Sequence, residues 1–449
     1  MQAPDFLIFA RWIVPVEPHG AVLEDHALAV SGDTISGLLP RLEAEARWPD
    51  ARRIDRPNHI LMPGLVNAHT HAGMTLLRGY ADDLPLQKWL QEHIWPAESQ
   101  HMSEDFVRAG TELAIIEMLR SGTTCFADMY FFQDIAIEAA LRRRIRIVVG
   151  LTMIDFPTPW AANREESRRK NGNLYRRYSE QAGVAFAIAP HAPYSVDDEG
   201  LQWCAKWSEE RSLPIHIHVH ETASEVAESL KRYQRRPLER LDKLGLVNGR
   251  LMAVHATQLE PEEIALLGER ESAVAHCPRS NLKLASGFCP VQALREAGVT
   301  VALGTDSAAS NNNLDMLAEM RTAALLAKGV SGNAEAVTAA EALEMATLSG
   351  ARALGLDGEI GSMRAGKSAD IVAVDLSPAN TQPVFDPLSQ LAYACNASQV
   401  SDVWVRGERL LSNGLLELKD EDDILERAQA WGAKIGRRKQ ASAKRAETP

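Results

Sequence analysis

Two histidines one residue apart, His69 and His71, follow the apolar run Ile60 to Ala68. In an extended strand residues i and i+2 project from the same face, so both imidazoles can converge on one point. Pro63-Gly64 breaks the chain just ahead of the strand that carries them. The pattern recurs four times. Val184 to Pro190 leads into His191, Leu251 to Val254 ends in His255, and Val299 to Thr305 ends in Asp306. Leu213 to Glu221 alternates strictly, so His216, His218 and His220 share one face. One His or Asp at a strand end is usually a satisfied structural residue. Five strand-like runs that all deliver His or Asp at their C-terminal ends point instead to one shared site. Imidazoles beside a carboxylate are the ligand types of a divalent metal.

Such convergence needs parallel strands whose C-terminal ends gather on one face, as in a β/α barrel. The remaining pattern agrees. Apolar runs alternate with helical stretches such as Phe106 to Leu119 and Asp315 to Leu326, which suits βαβ units. Before that region, short runs such as Phe6 to Phe9 and Ala27 to Val30 alternate with turns. After Gly361 the β pattern returns in Ala369 to Asp375 and Val403 to Gly407. The expected fold is an α/β chain: a (β/α)8 TIM-type barrel over residues 62–360, with a small β-sandwich built from residues 1–61 and 361–430. Residues 431–449 read as a polar C-terminal tail, and its basic part from Arg437 to Pro449 as a solvated, frayed terminus.

Bulk properties narrow the function. A net charge of −12 argues against a nucleic-acid partner, which would call for a basic patch. The sequence from Met1 to Asp5 begins no signal peptide, and no run reaches the roughly 18 apolar residues of a membrane span. The five cysteines, Cys125, Cys204, Cys277, Cys289 and Cys395, are scattered without CxxC spacing and read as reduced thiols of a cytoplasmic protein. No GxSxG elbow or P-loop occurs, so acyl-enzyme and phosphoryl-transfer chemistry have nothing to rest on.

The segments PGLVNAHTH, RGYADDLPLQKWLQEHIWPAE, APHAPYS, HIHVHE, VHATQL, HCPRSNLKLASG and GTDSAASNNNLDM together resemble the amidohydrolase superfamily. Within it they are most similar to the 5′-methylthioadenosine/S-adenosylhomocysteine deaminases. The resemblance implies one divalent metal, zinc first among candidates, on His69, His71, His218 and Asp306. Alternation leaves His216, His218 and His220 equivalent, and only the family spacing HxxE selects His218. It further implies Glu221 as the carboxyl that protonates the adenine ring, and His255 with Asp306 as the groups that orient the attacking water and take its proton. Glu98 would accept both ribose hydroxyls, and His191 would touch the nucleoside near the ring and ribose. The implied partner is a small-molecule adenine nucleoside thioether, with self-association left open.

One loop departs from the pattern. Relatives that accept the homocysteine carboxylate carry arginines after the strand Arg146 to Leu151. Here the loop holds Arg164, a candidate carboxylate partner, with Arg168 and Arg169 as alternatives. The balance between methylthioadenosine and S-adenosylhomocysteine stays open on this basis, as does an alternative in which another ring (guanine, pterin or s-triazine) is hydrolysed.

Overall fold

The computed structural model describes residues 3–446, with side chains through residue 437. Two sheets organise it. The first combines strands from both ends of the chain: β1 (Phe6–Ile13), β2 (Leu23–Ser31), β3 (Thr34–Pro40) and β4 (Arg52–Pro63), then, much later, four further strands. Between them lie the strands of the second sheet: β5 (Leu65–Thr70), β6 (Thr123–Asp128), β7 (Arg146–Met153), β8 (Val184–Pro190), β9 (Ile215–Val219), β10 (Leu251–His255), β11 (Ala273–His276) and β12 (Thr300–Leu303). The chain then returns through β13 (Ile371–Asp375), β14 (Val400–Val405), β15 (Glu408–Ser412) and β16 (Leu415–Leu416).

β5 to β12 pair in sequence order, every pair parallel, with helices in the crossovers. Strands covered on both faces must be apolar almost throughout, and every residue of β6, β7, β9 and β10 is buried. β12 closes against β5 by few bonds. The Asp306 amide donates to the His69 carbonyl at 3.0 Å, the Thr305 amide donates to the Asn67 side chain at 3.0 Å, and Asn67 Nδ2 donates to Thr305 Oγ1 at 2.7 Å. Gly304 lies so near that a Cβ there would meet the Cβ of His69 at 2.8 Å and its backbone nitrogen at 2.9 Å.

The terminal sheet runs β16-β15-β14-β13-β4-β1-β2-β3, with β13 antiparallel to β4 at its centre. It curls on itself: Thr34 bridges to Ser368 and Arg406 reaches Asp33. The curl encloses Ile8, Leu28, Ile35, Ile371 and Trp404. Arg146, at the start of β7, donates to Asp370 at 2.8 Å and ties the barrel to this sheet.

The helix Glu104–Arg120 shows how sequence positions the site. Ser103 caps it by accepting the Phe106 amide at 3.2 Å, and Glu104 and Asp105 complement the positive end of the helix dipole. Its Gly110 lies against the Gly73 carbonyl, where a Cβ would come within 2.1 Å. That approach presses the helix on the segment Ala72–Leu77, directly after His71.

The C-terminal expectation needs correcting. The stretch from residue 431 continues a 26-residue helix, Glu421–Ala446. Trp431 packs edge-on to Phe106 with centroids 5.4 Å apart, Ile435 is buried, and Arg427 and Glu421 pair with Glu112 and Arg120 of the helix Glu104–Arg120. The i, i+4 pair Trp431/Ile435 supplies an apolar anchor that the surrounding charge conceals. The fraying expected from Arg437 onward meets this helix as far as Ala446, and residues 447–449 lie outside the described residues. Among those described, no helix is long and apolar enough to cross a membrane, and all five cysteines are free and buried.

Candidate active site

A cavity of about 360 Å³ opens over the C-terminal ends of the barrel strands. β5 brings His69 and extends into His71, β9 carries His218, and Asp306 follows β12. His69 Nε2 lies 3.2 Å from His218 Nε2 and 3.5 Å from Asp306 Oδ1, while His71 Nε2 lies 3.3 Å from the same oxygen. Donors about 2.0–2.1 Å from an ion in tetrahedral geometry would stand about 3.3–3.4 Å apart. The spacing and the donor types therefore fit a divalent ion.

The outer atoms of these groups are committed elsewhere. His71 Nδ1 bonds the Met129 carbonyl at 2.5 Å, His218 Nδ1 the His191 carbonyl at 2.7 Å, and His69 Nδ1 meets His216 Nε2 at 2.7 Å. Each Nε2 is thereby turned inward. Asp306 Oδ2 accepts from Ser280 Oγ at 2.6 Å and Ser310 Oγ at 2.8 Å, leaving Oδ1 for the site. Burial lowers the pKa of His69 to about 4 and holds His218 well below the usual imidazole range, so both present neutral lone pairs. Burial alone would raise Asp306, but its bonds with His69 and His71 outweigh that and keep it well below the carboxylate range.

Three residues at these strand ends adopt left-handed backbone: His220 at φ 56°, His255 at φ 74° and Asp306 at φ 59°. Non-glycine residues seldom hold such angles, and where they do the strain commonly marks a functional site. His220 and Glu221 are pinned there because their amides donate to the Glu225 carboxylate at 3.1 and 2.8 Å. The Glu221 carboxyl is buried, with Oε1 3.8 Å from His255 Nε2. Burial, with the Asp306 charge adding to it, pushes Glu221 up to about 8, so it carries a proton at neutral pH. His255 Nδ1 lies 2.8 Å from Asn281 Oδ1, and burial keeps the imidazole neutral.

Glu98 enters the same cavity from the helix Trp95–His101, itself preceded by a π-helical turn at Trp89–Ile94. Tyr130 donates to Glu98 Oε1 at 2.7 Å, and burial pushes this carboxyl up to about 7. His191 also lines the cavity, with Nδ1 2.9 Å from Ser195 Oγ, and burial lowers it to about 3. Trp89, Leu90 and Trp95 stand along the wall, with Phe156 6.0 Å from the Trp95 ring.

Arg164 does not join this group. Its guanidinium is bound by Asp155 at 2.8 Å, Asp197 at 2.5 Å and Glu199 at 3.3 Å, and it lies outside the cavity lining. Arg168 pairs with Glu199 and sits over the Trp203 ring, and Arg169 pairs with Glu166. An acidic helix start at Asp197 to Glu199 absorbs the charge that the loop composition had suggested was free.

Tyr130, Glu225, Ser280, Asn281 and Ser310 support the site without being among the residues expected from the sequence. Glu225 had a legible signal, the capping-box spacing Thr222-x-x-Glu225, with Thr222 accepting the Glu225 amide at 3.3 Å. Ser280 and Asn281 stand within HCPRSNLK, a motif of no assigned role. Tyr130 and Ser310 carry no pattern, since only the fold brings them to Glu98 and Asp306.

Comparison with known proteins agrees with the fold. The model of the amidohydrolase family matches residues 60–410. A 5-methylthioadenosine/S-adenosylhomocysteine deaminase of Teredinibacter turnerae is 46% identical over 96% of this chain and 98% of its own length. The crystal structure of a zinc-bound adenosine deaminase from Xanthomonas campestris superposes with a TM-score of 0.95 at 51% identity, covering 97% of this chain and 99% of that one. The atrazine chlorohydrolase of Arthrobacter aurescens TC1, at 24% identity over 95% and 100% of the two chains and a TM-score of 0.89, shares the fold. A barrel whose strand ends gather a divalent-metal donor set, in a chain so matched, is that of a metal-dependent hydrolase, and the protein belongs to the amidohydrolase family.

Proposed function

We propose that the protein is a hydrolytic deaminase that converts 5′-methylthioadenosine, S-adenosylhomocysteine or both to the inosine analogue and ammonia. One observation carries this reading: a metal-type donor cluster, a protonated carboxyl at Glu221 and a diol-sized acceptor at Glu98 share one cavity. The names of the full-length relatives support the substrate class. The ion is a single zinc held by His69, His71, His218 and Asp306, a reading supported by the donor set and by the zinc bound in the Xanthomonas relative. Such an ion supplies, when bound, a water acidified to a pKa of about 7.

Glu221 protonates adenine N1 as C6 is attacked, so that negative charge does not accumulate on the ring. Asp306 Oδ1, with His255 orienting the water, takes one water proton and passes it to the departing amino group, which leaves as ammonia. The second water proton, on the new C6 hydroxyl, returns Glu221 to its acid form as the carbonyl forms. Glu98 accepts the two ribose hydroxyls, His191 contacts the nucleoside between ring and ribose, and Trp89, Leu90 and Trp95 cover the thioether. The five unpaired thiols favour a reducing, cytoplasmic setting. The test is ammonia release from methylthioadenosine, S-adenosylhomocysteine, adenosine, guanine and a chlorotriazine. Adenine nucleosides should be turned over fastest, and faster turnover of guanine or the triazine would overturn the reading.

A further inference from the structure

Apart from the proposed metal ion, the cavity offers no cation. Among the described residues that line it, none is lysine or arginine, while Glu98, Glu221 and Asp306 are all acidic. Apart from those carboxyls, the histidines and a few hydroxyls, the wall is apolar, with Trp89, Leu90, Trp95, Phe131, Phe156 and Pro157 contributing to it. The cations of the neighbouring loop and helix are engaged elsewhere: Arg164 with three carboxylates, Arg168 with Glu199, Arg169 with Glu166, and Lys170 with Glu166 and the Trp160 carbonyl. None of them faces a ligand in the cavity.

A carboxylate brought against such a wall loses water and gains no partner. An alkylthio group avoids that penalty and gains the burial of its methyl and sulfur against aromatic rings. Resting on the deaminase reading above, we infer that the 5′ region is selective for uncharged substituents: short alkylthio groups are accepted, and a 5′ group that ends in a carboxylate is disfavoured. Phe156, 41% exposed at the rim and 6.0 Å from the Trp95 ring, is the residue that a charged tail would have to pass.

The experiment compares kcat/KM for 5′-methylthioadenosine, 5′-butylthio-5′-deoxyadenosine and S-adenosylhomocysteine on the metal-loaded enzyme. The butylthio compound matches the length of the homocysteine chain without its charges, so size and charge separate. S-adenosylhomocysteine should fall below the butylthio compound by about 10- to 100-fold, the range expected for a partly desolvated charge left unpaired. Phe156→Arg, which supplies a cation at the rim, should narrow that gap by about tenfold, whereas Phe156→Leu should leave it in place. If S-adenosylhomocysteine and the butylthio compound agree within threefold, the charge selectivity is wrong while the deaminase reading stands. If none of the three releases ammonia, both fail together.

Discussion

Replacing Glu98 by alanine should abolish the distinction between ribose and 2′-deoxyribose. Tyr130 already occupies one lone pair of Oε1, at 2.7 Å, which leaves the second lone pair of Oε1 and both of Oε2 for two sugar hydroxyls. A hydrogen bond to a charged acceptor contributes about 1.5–3 kcal/mol, so the wild-type enzyme should prefer the ribonucleoside by roughly 10- to 100-fold in kcat/KM. In Glu98→Ala that preference should shrink to within about threefold, because nothing remains to accept either hydroxyl. Measuring both nucleosides with both proteins closes a double cycle whose coupling term isolates the contact. The charge state adds a second readout. Burial raises the Glu98 carboxyl to about 7, against the lowering effect of Tyr130 and His71, so the charged acceptor is present above about pH 7 and is lost as pH falls through it. KM for the ribonucleoside should therefore rise on the acid side, and Glu98→Gln should flatten that limb. An additive cycle, or a wild-type enzyme indifferent to the 2′ hydroxyl, would refute the assignment.

Three further outcomes are expected. Chelation and dialysis should abolish turnover and zinc should restore it, with elemental analysis alongside; full activity in protein shown to be metal-free would remove the basis of the mechanism. Glu221→Gln keeps the shape of the side chain but cannot donate its proton, so kcat should drop by roughly 10²–10⁴ at unchanged metal content; a kcat within threefold of wild type would assign the proton to another group. Trp431→Ala should cost roughly 1–3 kcal/mol in chemical denaturation, less than a core aromatic because the ring is only half-buried, and an unchanged midpoint would mean that the C-terminal helix does not stabilise the barrel.

Much of this was legible in the sequence because burial imposes it. Parallel strands covered on both faces have to read as apolar runs, so β5, β8, β9, β10 and β12 and their polar ends could be found by pattern alone. That these strand ends share one site followed from strand alternation and parallel order, while the choice of His69, His71, His218 and Asp306 among the residues gathered there came from the family resemblance. What was not legible depended on partners distant in sequence. Arg164 is composed like a free ligand-binding cation, and only the acidic turn near Asp197 shows where its charge is satisfied. The helix Glu421–Ala446 is polar by count, and its two anchoring residues acquire meaning only against Phe106. Tyr130, Ser280 and Ser310 act through bonds across the barrel that no local spacing encodes.

The join between β5 and β12 is where the ring of barrel strands is fastened. The other neighbouring barrel strands pair within the sheet, β8 and β9 at a single position, whereas β5 and β12 share no strand pairing and rely on a few bonds and on the bare backbone of Gly304 against His69. The candidate ligands straddle that same join, His69 and His71 on one side and Asp306 on the other. An ion held by all three would act as the clasp, tying the first and last turns of the ring. Its occupancy would then set the barrel's resistance to opening, growing with the logarithm of free metal and reaching about 2.7 kcal/mol at a hundred times the dissociation constant. Metal supply would in that way govern how long the folded enzyme persists as well as how fast it works.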